Sequence, residues 1–248
     1  MQRVELLAVP GLPMVKAGDD LARLIGERLK GDLALRPGDV VVLAQKIVSK
    51  AEGRVVDLKT VTPSARAVEL AAEVQKDPRL VELILSESVR VVRNRPNVLI
   101  VEHKLGFVMA NAGIDQSNVA PQDGVERALL LPKDPDASAA ALRTKLGATA
   151  LLINDSFGRP WRRGTTGVAI GAAGLPAMLD LRGDPDLFGR TLQVTISAFA
   201  DEIAAAASLV MGQADEAQPV VLVRGLSWKK PATNAAELVR PATEDLFR

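Results

Sequence analysis

The chain has 248 residues, of which 48% are hydrophobic and 25% charged, a composition typical of globular proteins with a large core. A net charge of +1 and only 3% aromatic residues, with no Tyr, argue against nucleic-acid binding, which needs a basic surplus and stacking side chains. The absence of Cys and the presence of a single His exclude disulfides, thiolate nucleophiles and zinc sites built on Cys or His clusters. Any metal site must therefore use oxygen ligands, which favours Mg²⁺ or Mn²⁺.

The start of the sequence and its apolar runs lead us to expect no targeting or membrane-spanning segment. The first residues, Met1 to Glu5, include charges and no long apolar core, which is not the pattern of a signal peptide. No apolar run reaches the roughly 18 residues that a membrane span needs. We therefore expect a cytoplasmic protein with no membrane partner.

The first half of the chain predicts short strands interrupted by helices. Helix starts are expected at Asp19-Asp20, where acids suit the helix dipole, and at Thr62-Pro63, where a capping hydroxyl precedes Pro. The first of these helices should end near Leu29, and a further helix should cover Pro78–Leu85. Strands are predicted over Val4–Val9, Asp39–Ala44, Val89–Val92, Val98–Val101 and Phe107–Ala110.

The second half predicts two well-delimited helices and three strands. One helix begins at Asp134-Pro135-Asp136 and ends at Gly147, and the other runs over Asp201–Met211 and stops at Gly212. The apolar run Ala148–Ile153 predicts a buried strand, and Val220–Val223 a final one. The alternation in Thr191–Ala198 predicts a half-buried strand, and we expect the polar tail 229–248 to be loosely packed.

Helices and strands are mixed without strict alternation, and no repeat is visible. This pattern favours an α+β fold, with mixed and antiparallel sheets and flanking helices, over a doubly wound parallel sheet. Neither GxxxxGK[ST] nor GxGxxG follows a strand. Any nucleotide must therefore be held in an unconventional way.

The segment 154–164 carries the densest chemistry. Asp155 and Ser156 follow the predicted strand, and a turn through Gly158 and Pro160 should present them at a sheet edge, followed by Arg159, Arg162 and Arg163. A carboxylate beside guanidinium groups suits a metal-bound polyphosphate. The alternative, with about even odds on composition, is a solvated loop with an Asp–Arg ion pair.

Other polar segments follow strands. Lys46 and Lys50 in the segment 45–53 would share a face if the preceding strand continued, and would suit phosphates; solvated lysines at a sheet edge are the slightly favoured alternative. Asp115, in the segment 111–118, is a candidate metal ligand, although Asn, Asp and Ser are also ordinary turn formers. Gln213 lies at the end of a helix beside two acids.

Several residues have plain structural readings. Asp201 and Glu202 are expected to complement a helix dipole. His103, next to Lys104, is interpreted as a surface residue. Trp161 and Trp228 are interpreted as packing residues, although Trp161 could cover a ring.

Taken together, the ordered motifs resemble the coenzyme F(420)-0:L-glutamate ligase family, also called F(420):gamma-glutamyl ligases, from about Leu12 to Arg224. The motifs are Gly11-Leu12-Pro13, Ile47-Val48-Ser49-Lys50-Ala51-Glu52-Gly53, Asn111-Ala112-Gly113-Ile114-Asp115 with Ser117-Asn118, Asp155-Ser156 with Gly158-Arg159, Arg162-Arg163-Gly164, Gly167-Val168-Ala169-Ile170-Gly171 and Ala200-Asp201-Glu202-Ile203. Each motif alone is weak evidence, but their order is specific.

The resemblance implies a GTP-dependent ligase that adds L-glutamate to the lactyl-phosphate side chain of a deazaflavin, F(420)-0, and extends a γ-linked tail. It also implies the family-specific fold, an intertwined homodimer, two Mg²⁺ or Mn²⁺ ions and K⁺. Ser156 stands where Thr is also expected, a change that keeps the hydroxyl. An acyl-phosphate intermediate, formed as GTP yields GDP and phosphate, would need no Cys or His nucleophile.

Site residues follow from the same resemblance. It implies that Asp115 and Asp155 hold one metal and that Ser156 and Gln213 hold a second. Asp115, Asp155, Arg159 and Arg162 are the predicted catalytic residues. The predicted nucleotide-binding residues are Leu12, Pro13, Met14, Val15, Gln45, Lys46, Lys50, Asn118, Met211, Gly212 and Gln213.

Two alternatives remain open from the sequence. A binder of deazaflavin or nucleotide could lack ligase activity, although four oxygen ligands suited to metals argue against it. Residues 1–248 form a single predicted catalytic module, and the ending Pro241 to Arg248 resembles the junction of a fusion to a nitroreductase-like domain. The chain could therefore be the N-terminal half of such a two-domain protein.

Overall fold

The structure, a computed structural model, describes residues 3–117 and 125–246 and confirms a mixed α+β fold. The strands are β1 (Glu5–Ala8), β2 (Val40–Ala44), β3 (Val55–Asp57), β4 (Ser88–Arg95), β5 (Val98–His103), β6 (Val108–Ala110), β7 (Arg127–Leu129), β8 (Ala150–Arg159), β9 (Arg162–Ala173), β10 (Leu179–Asp180), β11 (Ile196–Ser197) and β12 (Val220–Arg224). The helices are α1 (Leu21–Gly26), α2 (Gln45–Ala51), α3 (Ala65–Val74), α4 (Pro78–Ser86), α5 (Pro135–Leu146) and α6 (Phe199–Met211).

A five-stranded sheet forms the centre, in the order β1-β12-β2-β8-β9. Only the β2–β8 pair is parallel, and the other neighbours are antiparallel. Both faces of this sheet are covered, so its central strands are apolar on both sides, as in the fully buried run Val40–Leu43. The mixed pairing agrees with the predicted mixed and antiparallel sheets.

The two faces of the central sheet pack against different helices. One face carries Val41, Leu151 and Ile153, which share a core with α1, α2 and α5. The other face carries Val42 and Leu152, which share a core with α6. Because side chains alternate along a strand, neighbouring residues of β8 look into different layers.

Residues 55–117 and 125–130 form a second packed region between α2 and α5 in the sequence. Its sheets are β3-β7 and β4-β5-β6, and α3 and α4 bury their apolar faces against β5 in a separate core. This region matters to the site because it supplies Asp115, whose backbone pairs with Leu129 of β7.

Several predicted boundaries agree well and others shift. The helix α5 begins after its N-cap Asp134 and ends at Gly147, as predicted. The helix α1 is shorter than predicted and begins after Asp20, while α3 begins after Ser64 rather than at Thr62-Pro63, because the Ser64 hydroxyl accepts the Ala67 N–H. Each start has two possible cap residues close together, Asp19 and Asp20 for α1 and Thr62 and Ser64 for α3. Their side chains cap helices about equally well, so the sequence alone does not select one.

Two strand predictions are wrong. The strand after Ala148 does not stop before Asp155 but continues to Arg159, turns at Pro160-Trp161 and returns as β9. The half-buried strand predicted over Thr191–Ala198 is reduced to β11, and Val194 is 84% exposed. Alternation predicts a strand only where a second surface covers its apolar face, and here Val194 and Ile196 of that face are exposed.

The predictions for two side chains, and for the packing of the tail, also differ from the structure. His103, predicted at the surface, is 3% exposed, because β5 points it under the loop that follows α4. Trp161, predicted to pack, is 87% exposed, whereas Trp228 does pack, edge to face with Phe199. The tail is anchored rather than loose at Ala235, whose N–H is accepted by the Asp136 carboxylate.

Within the described residues, no helix combines the length and the apolar character needed to cross a bilayer.

Candidate functional site

A cavity of about 630 Å³ opens where β2 and β8 leave the central sheet side by side. Its walls come from the segment after β1, from the start of α2, from the middle of β8 and from the segment between α6 and β12. The lining residues are Leu12, Pro13, Met14, Val15, Ala44, Gln45, Lys46, Ile47, Lys50, Asn154, Asp155, Ser156 and 211–219. Segments distant in sequence thus meet at one sheet edge.

The helix α2 supplies the cavity's cations. Lys46 and Lys50 were expected to share a face if the preceding strand continued. Residues 45–51 instead form a helix, in which the two lysines share a face because they are four residues apart. On the opposite side, Ile47 and Val48 are buried in the core. Burial and the nearby Lys46 charge lower the pKa of Lys50, so the fold holds two cations together at a cost.

Gln45, at the start of α2, is held by a buried hydrogen bond. Its side-chain Oε1 accepts from the Ser49 hydroxyl at 2.9 Å, and the two residues are 2% and 0% exposed. This contact uses the amide oxygen and fixes the orientation of the side chain. The Gln45 side chain therefore meets the cavity in one preferred arrangement.

Lys46 joins α2 to Asp115. The Nζ atom of Lys46 lies 2.6 Å from Asp115 Oδ2 and donates to the Ser117 hydroxyl at 2.8 Å. The backbone N–H of Ser117 also donates to Asp115 Oδ1. Burial alone would raise the pKa of Asp115, but the hydrogen bonds from Lys46 and Ser117 outweigh it and keep that pKa below its ordinary value. Asp115 is therefore a stable anion at neutral pH.

Asp155 has a different electrostatic environment. Its side chain keeps some surface toward the cavity but is otherwise enclosed by protein, and this burial raises the pKa of Asp155 to about 7. The N–H of Ser156 and the Lys46 charge favour the ionised form, and the Asp115 charge opposes it. A carboxylate that is costly to ionise is a favourable place for a cation to bind.

The alternation of β8 separates the two predicted metal pairs. Asp155 lies on the face that carries Ile153, toward α2 and Asp115, whereas Ser156 lies on the face that carries Asn154, toward α6. Gln213 follows α6 at the cavity wall. The strand therefore places the Asp115–Asp155 pair on one side and the Ser156–Gln213 pair on the other. Both pairs reach the same cavity at the open edge of the sheet.

Asn154 is a buried residue that the sequence analysis did not single out. It is 6% exposed, and its Nδ2 donates to the Ser208 hydroxyl at 2.9 Å and to the Met211 sulfur at 3.4 Å. Its Oδ1 is buried without a hydrogen-bond partner among the described residues. The contact ties the last turn of α6 to β8, directly before the cavity loop. In the sequence, the signal for this residue was its position as the first polar residue after the apolar run Ala148–Ile153.

The loop after α6 is folded around a carboxylate. Gly212 has a φ of 71°, and a Cβ built on it would lie 2.0–2.4 Å from the Glu216 carboxyl group. That carboxylate accepts the Ala214 N–H at 2.8 Å. Backbone hydrogen bonds hold the pKa of Glu216 below its ordinary value, and glycine is required at position 212.

The predicted site residues divide into three groups. Asp155, Ser156 and every predicted nucleotide-binding residue except Asn118 line the cavity, and Asp115 reaches it through Lys46. Asn118 lies outside the described residues. Arg159 and Arg162 do not line the cavity but face each other at the exposed tip of the β8–β9 hairpin. The hairpin carries them away because β8 continues past Ser156.

The residues fit an oxygen-ligated cation. In the described part of the chain, no three Asp, Glu, His or Cys residues form a cluster able to hold a metal. A divalent ion would thus combine Asp155 and Asp115 with hydroxyl, amide or phosphate oxygens, the donors that Mg²⁺ prefers. The buried Asp155 carboxylate, with its pKa near 7, is the feature that such an ion would stabilise.

A family model described as F(420)-0:Gamma-glutamyl ligase matches residues 11–225. The chain is 48% identical to the coenzyme F(420):L-glutamate ligase of Methanothermobacter thermautotrophicus, over 99% of each chain. It is 45% identical to the protein of the same name from Methanopyrus kandleri, over 97% of this chain and 96% of that one. The Halorubrum lacusprofundi protein of that name is 46% identical, over 89% of this chain and 87% of its own.

Proposed function

The chain belongs to the F(420)-0:gamma-glutamyl ligase family, and from this premise we propose that it is a GTP-dependent ligase. The substrates are F(420)-0, L-glutamate and GTP, and further rounds extend a γ-linked glutamate tail. The observation that carries the proposal is the pairing of Asp155, whose pKa is raised to about 7, with two lysines on the wall of a cavity of about 630 Å³. Such an arrangement suits a metal-bound polyphosphate.

The reaction balances in two steps. A carboxylate oxygen of the acceptor attacks the γ-phosphorus of GTP, the bond to the β-phosphate oxygen breaks, and GDP leaves. The amine of glutamate then attacks the acyl carbon, phosphate leaves, and the amine releases a proton. Phosphoryl transfer needs positioning and charge neutralisation more than covalent help, so no Cys or His nucleophile is required.

The residues around the cavity have separate tasks in this proposal. Lys46 and Lys50 neutralise phosphate oxygens, and Gln45, held by Ser49, orients the nucleotide. Asp115 and Asp155 would hold one divalent ion, and Ser156 and Gln213 would hold a second. These ions, with K⁺, would supply Lewis-acid stabilisation of the phosphates. In this proposal, the two lysines and the metal ions held by the acids offset the negative charge of the nucleotide phosphates within one cavity.

The test is a reaction of the purified chain with F(420)-0, L-glutamate, GTP, Mn²⁺ and K⁺, followed by mass spectrometry. A ladder of products that differ by one glutamyl residue, with GDP and phosphate released, is expected. Formation of GMP and pyrophosphate would exclude the acyl-phosphate route. Binding of ligands without any product or GTP consumption would instead identify a non-catalytic binder.

A homodimer is also proposed. The excursion between β10 and β11 carries Leu187 and Phe188, which are 98% and 88% exposed, and Val194 is 84% exposed. Single exposed apolar residues are common, but several on one excursion are typical of an interface. Sedimentation equilibrium should give twice the chain mass, and Phe188→Asp should shift the protein toward the monomer. A wild-type monomer at micromolar concentration would contradict the proposal.

A further inference from the structure

The tip of the β8–β9 hairpin projects from the fold. β8 pairs with β2 only through Asn154, whereas its pairing with β9 continues to Arg159. Beyond Asn154 the hairpin is therefore a two-stranded ribbon, and all residues in 158–165 are exposed. Burial does not explain the residue types found there.

The tip has a strong positive charge that the fold does not use. Arg159, Arg162 and Arg163 lie within five residues, and the segment 158–165 contains no acid. In the part of the chain that the structure describes, none of the three arginines forms an ion pair. Neighbouring guanidinium groups repel one another and destabilise the folded tip slightly, and a bound anion would relieve this repulsion.

Trp161 is an independent second feature of the tip. Its φ of 64° is in the left-handed region, where a bulky residue is disfavoured by about 1–2 kcal/mol. Its side chain is also 87% exposed. Gly or Asn would serve this turn position without strain. The exposed face of this indole, placed between arginines, is available to stack on a ligand ring.

We propose that this hairpin tip binds the deazaflavin acceptor, with the guanidinium groups on its phosphate and Trp161 stacked on its ring. The inference rests on the proposed function for the identity of the ligand. An aromatic ring that carries a phosphate matches an indole beside guanidinium groups, through stacking and two-pronged hydrogen bonds. The hairpin is thus a substrate arm, separate from the nucleotide cavity.

The strand geometry connects the tip with the cavity. Asp155 and Arg159 are four residues apart on β8 and therefore lie on the same face, about 13 Å apart at the rise of an extended strand. Phe157 lies between them on that face and packs edge to face with Phe107. The acceptor can lie along the hairpin with its ring at the tip and its lactyl carboxylate toward the cavity. The phosphate, which adjoins that carboxylate, then lies on the cavity side of the ring, where the long arginine side chains can reach it.

The test measures acceptor binding without turnover. F(420)-0 and the same deazaflavin without its phospholactyl group are titrated, in the absence of GTP and glutamate, with deazaflavin fluorescence as the readout. We expect Trp161→Ala to weaken both ligands about tenfold or more, as for loss of one stacking partner. Arg162→Ala with Arg163→Ala should weaken only the phosphate-bearing ligand, about tenfold.

Two controls make the result specific. Arg93→Ala removes an exposed arginine of β4 that likewise forms no ion pair among the described residues, and it should change neither affinity by more than about twofold. In Trp228→Phe, Trp161 is the only remaining Trp, and its fluorescence should be quenched by the acceptor. The KM for GTP should stay within about twofold in the tip variants, since their side chains lie outside the cavity.

The outcomes separate the two proposals. If the wild-type protein forms product and the tip variants bind the acceptor as tightly as wild type, the substrate arm alone is overturned. Wild type that binds the acceptor through the tip but makes no product would overturn the ligase and keep the arm. No acceptor binding by wild type, or weakened binding explained by dissociation into monomers in sedimentation, would overturn the arm and assign the tip to contact between copies.

Discussion

The two ends of the β8–β9 hairpin show opposite relations between burial and chemistry. At the base, Asn154 donates hydrogen bonds to Ser208 and Met211 of α6, and Asp155 is enclosed by protein near the Lys46 charge of α2. At the tip, Arg162 and Trp161 are exposed. Functional chemistry at the base depends on tertiary neighbours, whereas at the tip it depends on the side chains themselves.

The largest effect is expected at the base, from Asp155→Asn. Loss of the charge removes a predicted cation ligand, and turnover should fall by about a hundredfold to a thousandfold, as for other charge-stabilising groups. The thermal midpoint should not fall, because a carboxyl whose pKa is raised to about 7 contributes no stability through its charge. Steady-state rates and a thermal melt provide the test.

The matched control is Asp57→Asn, which changes a carboxylate at the end of β3 that accepts the Lys59 N–H and does not line the cavity. Its turnover should remain near that of wild type. An Asp155→Asn protein with more than about a tenth of wild-type activity would remove this residue from the catalytic machinery.

A second effect at the base concerns Asn154→Ala. The substitution removes the donors to Ser208 and Met211, and we expect unfolding to become easier by about 1–3 kcal/mol. Because α6 then loses its tie to β8, amide exchange in 212–218 should accelerate and the KM for GTP should rise. Asn94→Ala, which removes an exposed amide bonded to Glu73, is the control and should be nearly neutral. If Asn154→Ala and Asn94→Ala changed the free energy of unfolding and the KM for GTP equally, the special role of the hairpin base would be contradicted.

The tip should respond in the opposite direction. Trp161→Gly relieves the left-handed strain at a φ of 64°, so the free energy of unfolding should increase by about 1 kcal/mol. The same variant should bind F(420)-0 more weakly, so stability and affinity change in opposite senses. Urea unfolding together with acceptor titration checks this. Lower stability in Trp161→Gly would mean that the indole packs in solution, and the contrast between base and tip would fail.

The smallest effect is a pH dependence from a buried group away from the hairpin. His103 is 3% exposed; its Nδ1 accepts the Leu105 N–H and its Nε2 lies 3.9 Å from Glu87. Burial, opposed by the Glu87 charge, lowers its pKa below the ordinary 6.5. The unfolded chain then binds the proton more readily, so this contribution is complete above pH 6.5 and declines as the pH falls below it.

Urea midpoints at several pH values measure this effect, with His103→Gln as the comparison. Wild type should lose more stability than the variant as the pH falls from 7.5 to 5. Parallel pH profiles for the two proteins would show that His103 has the same pKa in the folded and the unfolded states and would contradict the prediction.

The sequence by itself determined those helices and strands whose caps and periodicity lie within a few residues of one another. The helix α5 was predicted correctly because Asp134 caps one end and Gly147 the other. The shared face of Lys46 and Lys50 was expected only if the preceding strand continued. The segment is a helix, but the lysines still share a face, since alternation and helical spacing both place residues four apart on one side. Cap chemistry and periodicity are short-range properties, so a sequence carries them directly.

Only the tertiary structure decided which of these residues meet. The extension of β8 to Arg159 depends on pairing with β9, and it moves the arginines away from Asp155. The burial of His103, the tie between Asn154 and Ser208, and the raised pKa of Asp155 arise from neighbours more than fifteen residues distant. Desolvation and hydrogen bonding depend on the complete surroundings of a group, which no local pattern specifies. The polar motifs were therefore readable from the sequence, whereas their division between a cavity and a projecting tip required the fold.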